Sequence, residues 1–298
     1  MLPLDSRIIV RVTGDDRASF FHGMCTADVK SARAGAILPA LFLTEHAHVI
    51  ADAFIWVTGD ALLLDIDAEA WTRTRAHLDR LLVADDVEFE DADSLAIIDV
   101  EGPAAVAATS APATPWSFIE ESGSLVGNLP RFGGPATSLI ARRDSVDATI
   151  AAILAQTPGS HRIDTSVLET IRIENGIARI GADATEKTIA LEARLNRSIS
   201  FNKGCYLGQE TIERATARGG LKKRMFGLKF DTADVPHTGV VLTLDGKEVG
   251  RVTSVVRSPR FGAIGLAIVH HSAWTPGTEL KVGEGGSAIV SELPFAQS

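Results

Sequence analysis

The chain contains little cysteine, which limits the chemistry that it can carry. Only Cys25 and Cys205 occur among its 298 residues. This number is too small for a disulfide framework and is typical of a protein from a reducing compartment. Because a [4Fe–4S] cluster usually needs four thiolates, one chain cannot hold such a cluster with cysteine alone. We therefore predict a protein without a resident metal.

The absence of other motifs excludes several common classes of protein. The nucleotide-binding motifs G-x-x-x-x-G-K-[ST] and G-x-G-x-x-G, the zinc motif H-E-x-x-H and the hydrolase motif G-x-S-x-G do not occur. The longest stretch without charge, residues 102–119, is interrupted by prolines, so we expect no membrane span. Asp5 and Arg7 lie where a signal peptide would be apolar, so we expect a cytoplasmic protein.

The charge balance is acidic, with 38 Asp and Glu against 29 Lys and Arg, and the net charge is −9. Such a chain is not suited to bulk binding of nucleic acid or anionic membranes, and we expect neither as a partner. Hydrophobic residues make up 45% of the sequence and charged residues 22%, which is typical of a folded globular protein. The length predicts about two domains.

The N-terminal part of the chain alternates between strand and helix patterns. A β-branched run predicts a strand over residues 7–13. Helical spacing predicts helices over residues 17–24, 68–82 and 146–156. Asp16 precedes the first of these helices and is expected to cap it.

The C-terminal part of the chain has a different pattern. From Met225 onward, short strands are separated by turns, and Asp245-Gly246 is a strong hairpin signal. We therefore predict an α+β protein. The boundary would lie near residue 220, and residues 221–298 would form a small all-β domain.

A glutamate near the end of a predicted helix is the first candidate site residue. Helical spacing places Glu174 on the same face as Val167 and Ile171, in line with the apolar stripe. Glu174 also lies in the last turn, where the helix dipole disfavours an anion. The carboxylate therefore needs a partner, which is either an arginine such as Arg172 or Arg179 or a ligand with N–H donors. The spacing leaves both alternatives open.

Cys205 is the second candidate. It is bracketed by Gly204 and Gly208, which permit close approach of the backbone. Lys203 lies two residues before it, and a helix begins a few residues after it; both features lower the pKa of a thiol. The alternative is that Cys205 is a buried small hydrophobic residue. Cys25 has no such neighbours, and we expect it to have a packing role.

The segment that contains these candidates resembles a known family. The resemblance rests on four runs, at residues 172–177, 186–188, 191–193 and 200–210. The last run contains the pattern K-G-C-Y-x-G-Q-E, which is the signature of the YgfZ family. Members of this family are folate-binding relatives of the glycine-cleavage T-protein, an aminomethyltransferase. The similarity extends more weakly over the rest of the chain.

The resemblance implies a T-protein-like ring of three subdomains with tetrahydrofolate in a central channel. In this architecture residues 1–220 form two interleaved α+β subdomains and residues 221–298 form a small C-terminal β-barrel domain. It implies that Glu174 holds the pterin, because a carboxylate can accept two parallel N–H bonds. It also implies that Cys205 is a functional thiol. Arg172, Lys203 and Tyr206, which belong to the same runs, are assigned with Glu174 to cofactor binding.

The family's role predicts a tetrahydrofolate-binding accessory protein. Such a protein would support the assembly or repair of iron–sulfur clusters, including those of enzymes that modify tRNA. The predicted partners are folate and iron–sulfur client or assembly proteins. We expect a monomer, because the ring-like architecture of the family buries its own edges.

Asp52 keeps an enzymatic alternative open. It aligns with the stretch that carries the catalytic aspartate of the T-protein, so the resemblance also allows a folate-dependent aminomethyltransferase or demethylase with Asp52 as acid/base. Trp56, at i+4 on the same strand face, is expected to line the folate pocket. We favour the accessory role because the whole signature at residues 203–210 outweighs one aspartate. A third alternative is a binding module with a vestigial folate pocket.

Overall fold

The computed structural model describes residues 1–217, 220–231 and 235–295. The chain forms two compact units. The first comprises Met1–Glu45, Ile50–Asp164 and Arg197–Gln209, and the second comprises His46–Val49, Thr165–Asn196 and Glu210–Ser298. The sequence analysis placed the division near residue 220, and residues 218 and 219 of that junction lie outside the described residues. In the structure, residues 165–196 group with the C-terminal part of the chain.

Helices and strands alternate along the first unit, and strands dominate the end of the chain. The strands are β1 (Leu2–Pro3), β2 (Arg7–Thr13), β3 (Ile37–Leu43), β4 (Val49–Val57), β5 (Leu62–Asp67), β6 (Glu88–Asp91), β7 (Leu95–Glu101), β8 (Ser117–Glu121), β9 (Ser124–Asn128), β10 (Ala136–Arg142), β11 (Lys223–Phe230), β12 (Val241–Leu244), β13 (Lys247–Ser258), β14 (Gly262–His270), β15 (Glu279–Val282) and β16 (Gly286–Ser291). The α-helices are α1 (Arg17–Met24), α2 (Ala68–Asp79), α3 (Pro103–Ala107), α4 (Val146–Gln156), α5 (Thr165–Glu174) and α6 (Gln209–Ala217). The predicted α+β class is confirmed.

The first unit contains two five-stranded sheets. One has the strand order β3-β4-β5-β2-β6, and the other has the order β1-β7-β10-β9-β8. Helix α1 contributes Phe20 and Phe21 to the core over the first sheet. Helix α4 contributes Ile150 and Ile153 to the core over the second. The strand β2 and the helices α1 and α4 have the bounds that the sequence predicted.

Two details of the helix ends differ from the prediction. The carboxylate of Asp16 makes no capping bond to α1; it accepts a hydrogen bond from the backbone nitrogen of Asp86 at 2.9 Å instead. The backbone of Asp16 is helical, whereas a capping residue is usually extended. Helix α2 ends at Asp79 rather than at residue 82, and Leu81 follows in a turn that bonds back to Leu78.

The second unit contains a closed six-stranded barrel with the strand order β11-β14-β13-β12-β15-β16. This confirms the predicted C-terminal all-β barrel. Helix α5 packs on β13 and β14, and its Ile173 is fully buried in a cluster with Met225, Ile264, Leu266 and Phe295. This apolar contact explains why residues 165–196 group with the barrel and not with the preceding sheets.

The described part of the chain contains no helix that is both long enough and apolar enough to cross a membrane.

Candidate functional site

The R-I-E-N-G run forms the C-terminal end of α5. The backbone N–H of Ile177 bonds to the carbonyl of Arg172 at 3.0 Å, and that of Gly176 bonds to the carbonyl of Ile173 at 3.0 Å. This pair of bonds is a Schellman motif. Gly176 has a φ of 66°, which glycine adopts without the steric cost that a Cβ brings. The motif fixes the end of the helix that carries Arg172 and Glu174, both of which are buried.

Glu174 meets the turn between β13 and β14. The hydroxyl of Ser258 donates to its Oε1 at 2.6 Å, and the guanidinium of Arg260 donates to its Oε2 at 3.1 Å. The Glu174 side chain is only 9% exposed, whereas that of Arg260 is 56% exposed. A carboxylate has about four lone-pair positions, so these two bonds leave acceptor capacity on both oxygens.

The burial of Glu174 agrees with the sequence analysis, although Val167, which was predicted to share its face, is exposed. The protein partner of Glu174 differs from the prediction. Arg172 and Arg179 were the arginines considered, whereas the arginine that pairs with Glu174 is Arg260. Arg172 donates elsewhere, and Arg179 pairs with Glu169 at 3.3 Å. The signal that could have identified Arg260 is its place in the short turn between two predicted strands, directly after the strand that ends at Ser258.

Arg172 lies at the centre of a polar network. Its guanidinium donates five hydrogen bonds, to Glu169 Oε2 (2.9 Å), Glu169 Oε1 (2.5 Å), the Ile177 carbonyl (2.6 Å), Asp183 Oδ2 (2.7 Å) and Ser254 Oγ (2.8 Å). A guanidinium has five N–H donors, so all of them are used within the unit. This geometry favours a structural role for Arg172 over the cofactor contact that the resemblance implied.

A β-bulge supports this network from the barrel side. The register of β13 shifts between Val252 and Ser254. The hydroxyls of Thr253 and Ser254 both donate to Oδ1 of Asp183, at 2.5 and 2.8 Å. Neighbouring side chains on a regular strand point to opposite faces, and a bulge re-aims them. The bulge therefore allows two consecutive hydroxyls to reach one buried carboxylate.

The K-G-C-Y run belongs to the first unit, where it forms a loop against the end of α1. The ammonium of Lys203 donates to three backbone carbonyls, those of His22, Cys25 (2.8 Å) and Ala27 (2.8 Å). Lys203 is buried, and burial lowers the pKa of its ammonium. Farther along the loop, the backbone nitrogen of Leu207 donates to the carbonyl of Gly23 at 3.1 Å. The loop is therefore anchored on both sides of Cys205.

The two cysteines lie in opposite environments. Cys205 is exposed, whereas Cys25 is buried. Burial raises the pKa of the Cys25 thiol to about 11, with the charge of Lys203 acting in the opposite direction. The structure therefore excludes the alternative that Cys205 is a buried hydrophobic residue, and the burial of Cys25 agrees with its expected packing role.

Lys203 and Tyr206 pack on each other. The Lys203 ammonium lies 5.0 Å from the centre of the Tyr206 ring, and Tyr206 is also buried. The ammonium of Lys203 carries three N–H donors, and three carbonyls accept from it. This arrangement favours a role in holding the loop over the predicted contact of Lys203 with a cofactor.

Asp52 and Trp56 lie on β4. Asp52 is half-buried. Burial lowers the pKa of the nearby Arg197 guanidinium, and the charge of Asp52 acts in the opposite direction. Trp56 is fully buried and packs on Phe118, with ring centres 5.2 Å apart. Its indole N–H has no hydrogen-bond partner among the described residues. Full burial favours a packing role for Trp56 over the pocket-lining role predicted for it.

A buried charge cluster in the first unit was missed by the sequence analysis. Arg131 bonds to Asp65 at 2.5 Å and to Asp99 at 2.9 Å, and both carboxylates are fully buried. Burial alone would raise the pKa of Asp65, but the charges of Arg131 and Arg7 hold it below its usual value. Burial raises the pKa of Asp99. The signal for this cluster was an aspartate with apolar residues on both sides in the interior of each of two strands, β5 and β7.

No group of three or more His, Cys, Asp or Glu side chains within the described residues is arranged to hold a metal ion.

Comparison with known proteins identifies the fold. Residues 223–296 match the family model for the glycine cleavage T-protein C-terminal barrel domain. Among solved structures, the glycine cleavage system aminomethyltransferase T from Bartonella henselae superposes with a TM-score of 0.87 at 19% identity, over 99% of this chain and 85% of that one. The chain thus has the T-protein fold.

Curated relatives extend the match over the whole sequence. The Arabidopsis thaliana protein named "Putative transferase At1g60990, chloroplastic" is 30% identical over 96% of this chain and 68% of its own length. The tRNA-modifying protein YgfZ of Yersinia pestis is 24% identical over 99% of this chain and 92% of its own length. The aminomethyltransferase of Bacillus subtilis is 24% identical over 92% and 80%, respectively. The chain belongs to the family of YgfZ-like relatives of the glycine-cleavage T-protein.

Proposed function

We propose that this protein binds tetrahydrofolate and supports the assembly or repair of iron–sulfur clusters in other proteins, with Cys205 as its functional thiol. The observation that carries the proposal is the anchored loop. Lys203 and Leu207 tie the loop to α1 on both sides of Cys205, and the thiol between them is exposed. A structural cysteine is usually buried, as Cys25 is. The loop therefore holds a thiol where a partner protein can reach it.

The folate part of the proposal rests on Glu174. The residue is a buried acceptor with free lone pairs, next to an exposed arginine that a ligand can displace. A buried carboxylate is favourable only with hydrogen-bond donors, and the aminopyrimidine edge of a pterin presents two parallel N–H groups. Of the residues assigned to cofactor binding, Glu174 is the one whose geometry retains this capacity. When bound, the folate would supply the one-carbon carrier chemistry of its pterin ring.

Glu174→Gln tests the folate part because it keeps the volume of the side chain and removes its charge. Hydrogen bonds to a charged group are worth about 1.5–3 kcal/mol, so we expect tetrahydrofolate to bind about 10- to 100-fold more weakly. Calorimetric titration under anaerobic conditions measures the affinity. Glu279→Gln, which changes an exposed glutamate of β15 in the same unit, is the matched control and should bind as the wild type does. Equal affinities for all three proteins would refute the role of Glu174.

Cys205→Ala tests the thiol. The variant should fail to rescue a bacterial strain that lacks its own member of this family, with the activity of an iron–sulfur enzyme that modifies tRNA as the measurement. Its affinity for tetrahydrofolate should remain nearly unchanged. Cys25→Ala is the control for the loss of a cysteine that is buried. Full rescue by Cys205→Ala would exclude Cys205 as the functional thiol.

A second candidate function is folate-dependent aminomethyl transfer with Asp52 as acid/base. Asp52 is half-buried on β4, where its charge acts on Arg197, and relatives named aminomethyltransferase cover most of the chain. A positioned acid or base contributes about 10²–10⁴-fold in rate. Formation of methylene-tetrahydrofolate from an aminomethyl donor, lost in Asp52→Asn, would favour this function. No turnover with several donors would exclude it.

A further inference from the structure

Arg260, in the turn between β13 and β14, makes two side-chain contacts. Its Nη1 atom donates to Oε2 of Glu174 at 3.1 Å. Its guanidinium carbon lies 4.8 Å from the centre of the Phe261 ring, which is within the range of a cation–π contact. A flat group that carries N–H donors therefore contacts both an aromatic ring and a buried carboxylate.

Ser258 fixes this carboxylate independently of the Arg260 side chain. The Ser258 oxygen accepts from the backbone nitrogens of Arg260 at 2.9 Å and Phe261 at 3.0 Å. Its own proton goes to Oε1 of Glu174 at 2.6 Å. A hydroxyl has one proton and two acceptor lone pairs, so all of them are used, and Ser258 is buried. The barrel turn thus holds Glu174 in place whether or not the guanidinium is present.

The Arg260 guanidinium, by contrast, is loosely held. Its side chain is exposed. Of its five N–H donors, one bonds to Glu174, and it makes no other side-chain hydrogen bond within the described residues. An exposed ion pair gains little energy, because solvent screens it and because a long side chain loses entropy when it is fixed. Arg260 can therefore leave Glu174 at small cost, unlike the fully bonded Arg172.

We propose that, in the free protein, Arg260 occupies the position on Glu174 that the pterin takes, and that the ligand displaces it. The aminopyrimidine edge of a pterin is a cyclic guanidine, in which one carbon carries three nitrogens and the N–H groups lie in one plane. The guanidinium of arginine has the same flat arrangement, so both groups suit the same carboxylate. The inference rests on the proposed folate-binding function of Glu174 and adds the residue that competes with the ligand.

The sign of the effect of Arg260→Ala on affinity tests the proposal. Calorimetric titration under anaerobic conditions would use tetrahydrofolate and 6-methyltetrahydropterin, which has the same edge but no glutamate tail. Because exposed ion pairs are weak, we expect the variant to bind both compounds about two- to fivefold more tightly than the wild type. Arg257→Ala removes an exposed arginine of β13 and should bind as the wild type does. A ligand contact by Arg260 predicts the opposite sign.

Two further variants make the test independent of one substitution. Arg260→Lys keeps the charge but lacks the flat N–H fork, so it should also bind both compounds more tightly than the wild type. In the background of Glu174→Gln, Arg260→Ala should give a much smaller gain, because Arg260 acts through the carboxylate. A merely structural role for Arg260 would not produce this dependence.

Unchanged or weaker binding in both Arg260 variants would overturn the proposal, as would an equal gain in the Glu174→Gln background. If Glu174→Gln still weakened binding, the role of Arg260 would fail alone and the proposed function would stand. If the wild type bound neither compound, the folate part of the proposed function would be refuted, and this inference with it.

Discussion

Glu101 is a carboxyl group at the end of β7 whose ionisation opposes folding. Its Oε1 is buried and has no hydrogen-bond partner among the described residues. Burial and, to a smaller extent, the charge of Asp99 raise the pKa of Glu101 to about 8, against the opposing charges of Arg131 and the N-terminal ammonium. The protonated form is therefore favoured in the folded protein and the ionised form in the unfolded chain.

The stability of the protein should consequently fall as the pH rises. A raised pKa in the folded state gives a contribution that is fully present below about pH 4.3, the value for a free Glu, and is lost as the pH rises through about 8. The free energy of unfolding can be measured in urea at pH 5.5, 7 and 8.5. The difference between Glu101→Gln and the wild type should shift in favour of the variant by a few kcal/mol from the lowest to the highest pH. Glu90→Gln, at an exposed position of β6, should show no such gain. Parallel pH profiles for the wild type and Glu101→Gln would contradict the assignment.

Substitution of Arg172 distinguishes a structural role from a ligand-binding role. Replacing it with Met removes the partner of Asp183, a fully buried carboxylate. Leaving a buried charge without its partner costs about 3–5 kcal/mol. We therefore expect Arg172→Met to lower the free energy of unfolding by about this amount, measured in urea.

The control is Arg179→Met, which removes an arginine whose side chain is 56% exposed and pairs with Glu169. Exposed pairs contribute about 0–1 kcal/mol, so the change in stability should be small. If Arg172→Met retained full stability and lost only tetrahydrofolate affinity, the structural role would be wrong and the contact that the resemblance implied would be supported.

The sequence predicted where Glu174 lies but not what it binds. Helical spacing is a local property, and it correctly predicted that the acid is buried. It assigned the acid to a face with Val167 and Ile171, however, whereas Val167 is exposed and the apolar residues of α5 that are buried are Leu168 and Ile173. Its partners Ser258 and Arg260 lie 84 and 86 residues farther along the chain, so only the folded barrel brings them together. Lys203 is a similar case, because the carbonyls that accept from it lie 176 to 181 residues earlier.

At the scale of elements, the periodicity of apolar residues predicted where helices and strands lie better than it predicted where they end. The bounds of β2, α1 and α4 follow from the alternation and spacing of their apolar residues. Asp16 was mispredicted as a cap because the role of a polar side chain at a helix end depends on which partner it finds. For Asp16 this partner is the backbone of Asp86, 70 residues away.

Gly176 determines how α5 ends. Its φ of 66° is unfavourable for other residues, at a cost of about 1–2 kcal/mol. A Cβ at this position would lie 2.7 Å from Cβ of Leu293, and overpacking adds about 1–3 kcal/mol. We expect Gly176→Ala to lower the free energy of unfolding by about 2–5 kcal/mol, measured by urea or thermal unfolding.

Gly277→Ala is the matched control for this change. Gly277 belongs to the same unit and has a φ of 89°, but a Cβ there would meet no atom within 4 Å. It should lose only the conformational contribution of about 1–2 kcal/mol. Equal losses in the two variants would show that the contact with Leu293 does not restrict this position.

At the scale of the whole molecule, the sequence predicted the barrel but not the segment that belongs with it. The change from helix and strand patterns to short strands near residue 225 is a compositional signal, and it suggested a division at residue 220. Helix α5 lies about 50 residues earlier in the chain, yet its Ile173 is part of the apolar cluster beside the barrel strands. Arg172 and Glu174 also bond to residues of β13, Ser254 and Ser258. The folding unit is therefore discontinuous in sequence.

This organisation predicts that a fragment comprising residues 165–298 is more stable than one comprising residues 221–298. The shorter fragment exposes Met225, Ile264 and Leu266, which are fully buried in the intact protein, and removes the bonds from α5 to β13. Loss of one large apolar contact costs about 2–5 kcal/mol, and each kcal/mol shifts the Tm of a small domain by about 4–8 °C. We expect the shorter fragment to melt at least about 10 °C lower in circular dichroism. Ile173→Ala in the longer fragment should bring its Tm toward that of the shorter one, because it removes the central contact while leaving the chain length unchanged. If both fragments melted at the same temperature, α5 would contribute nothing to the barrel and the division at residue 220 would be restored.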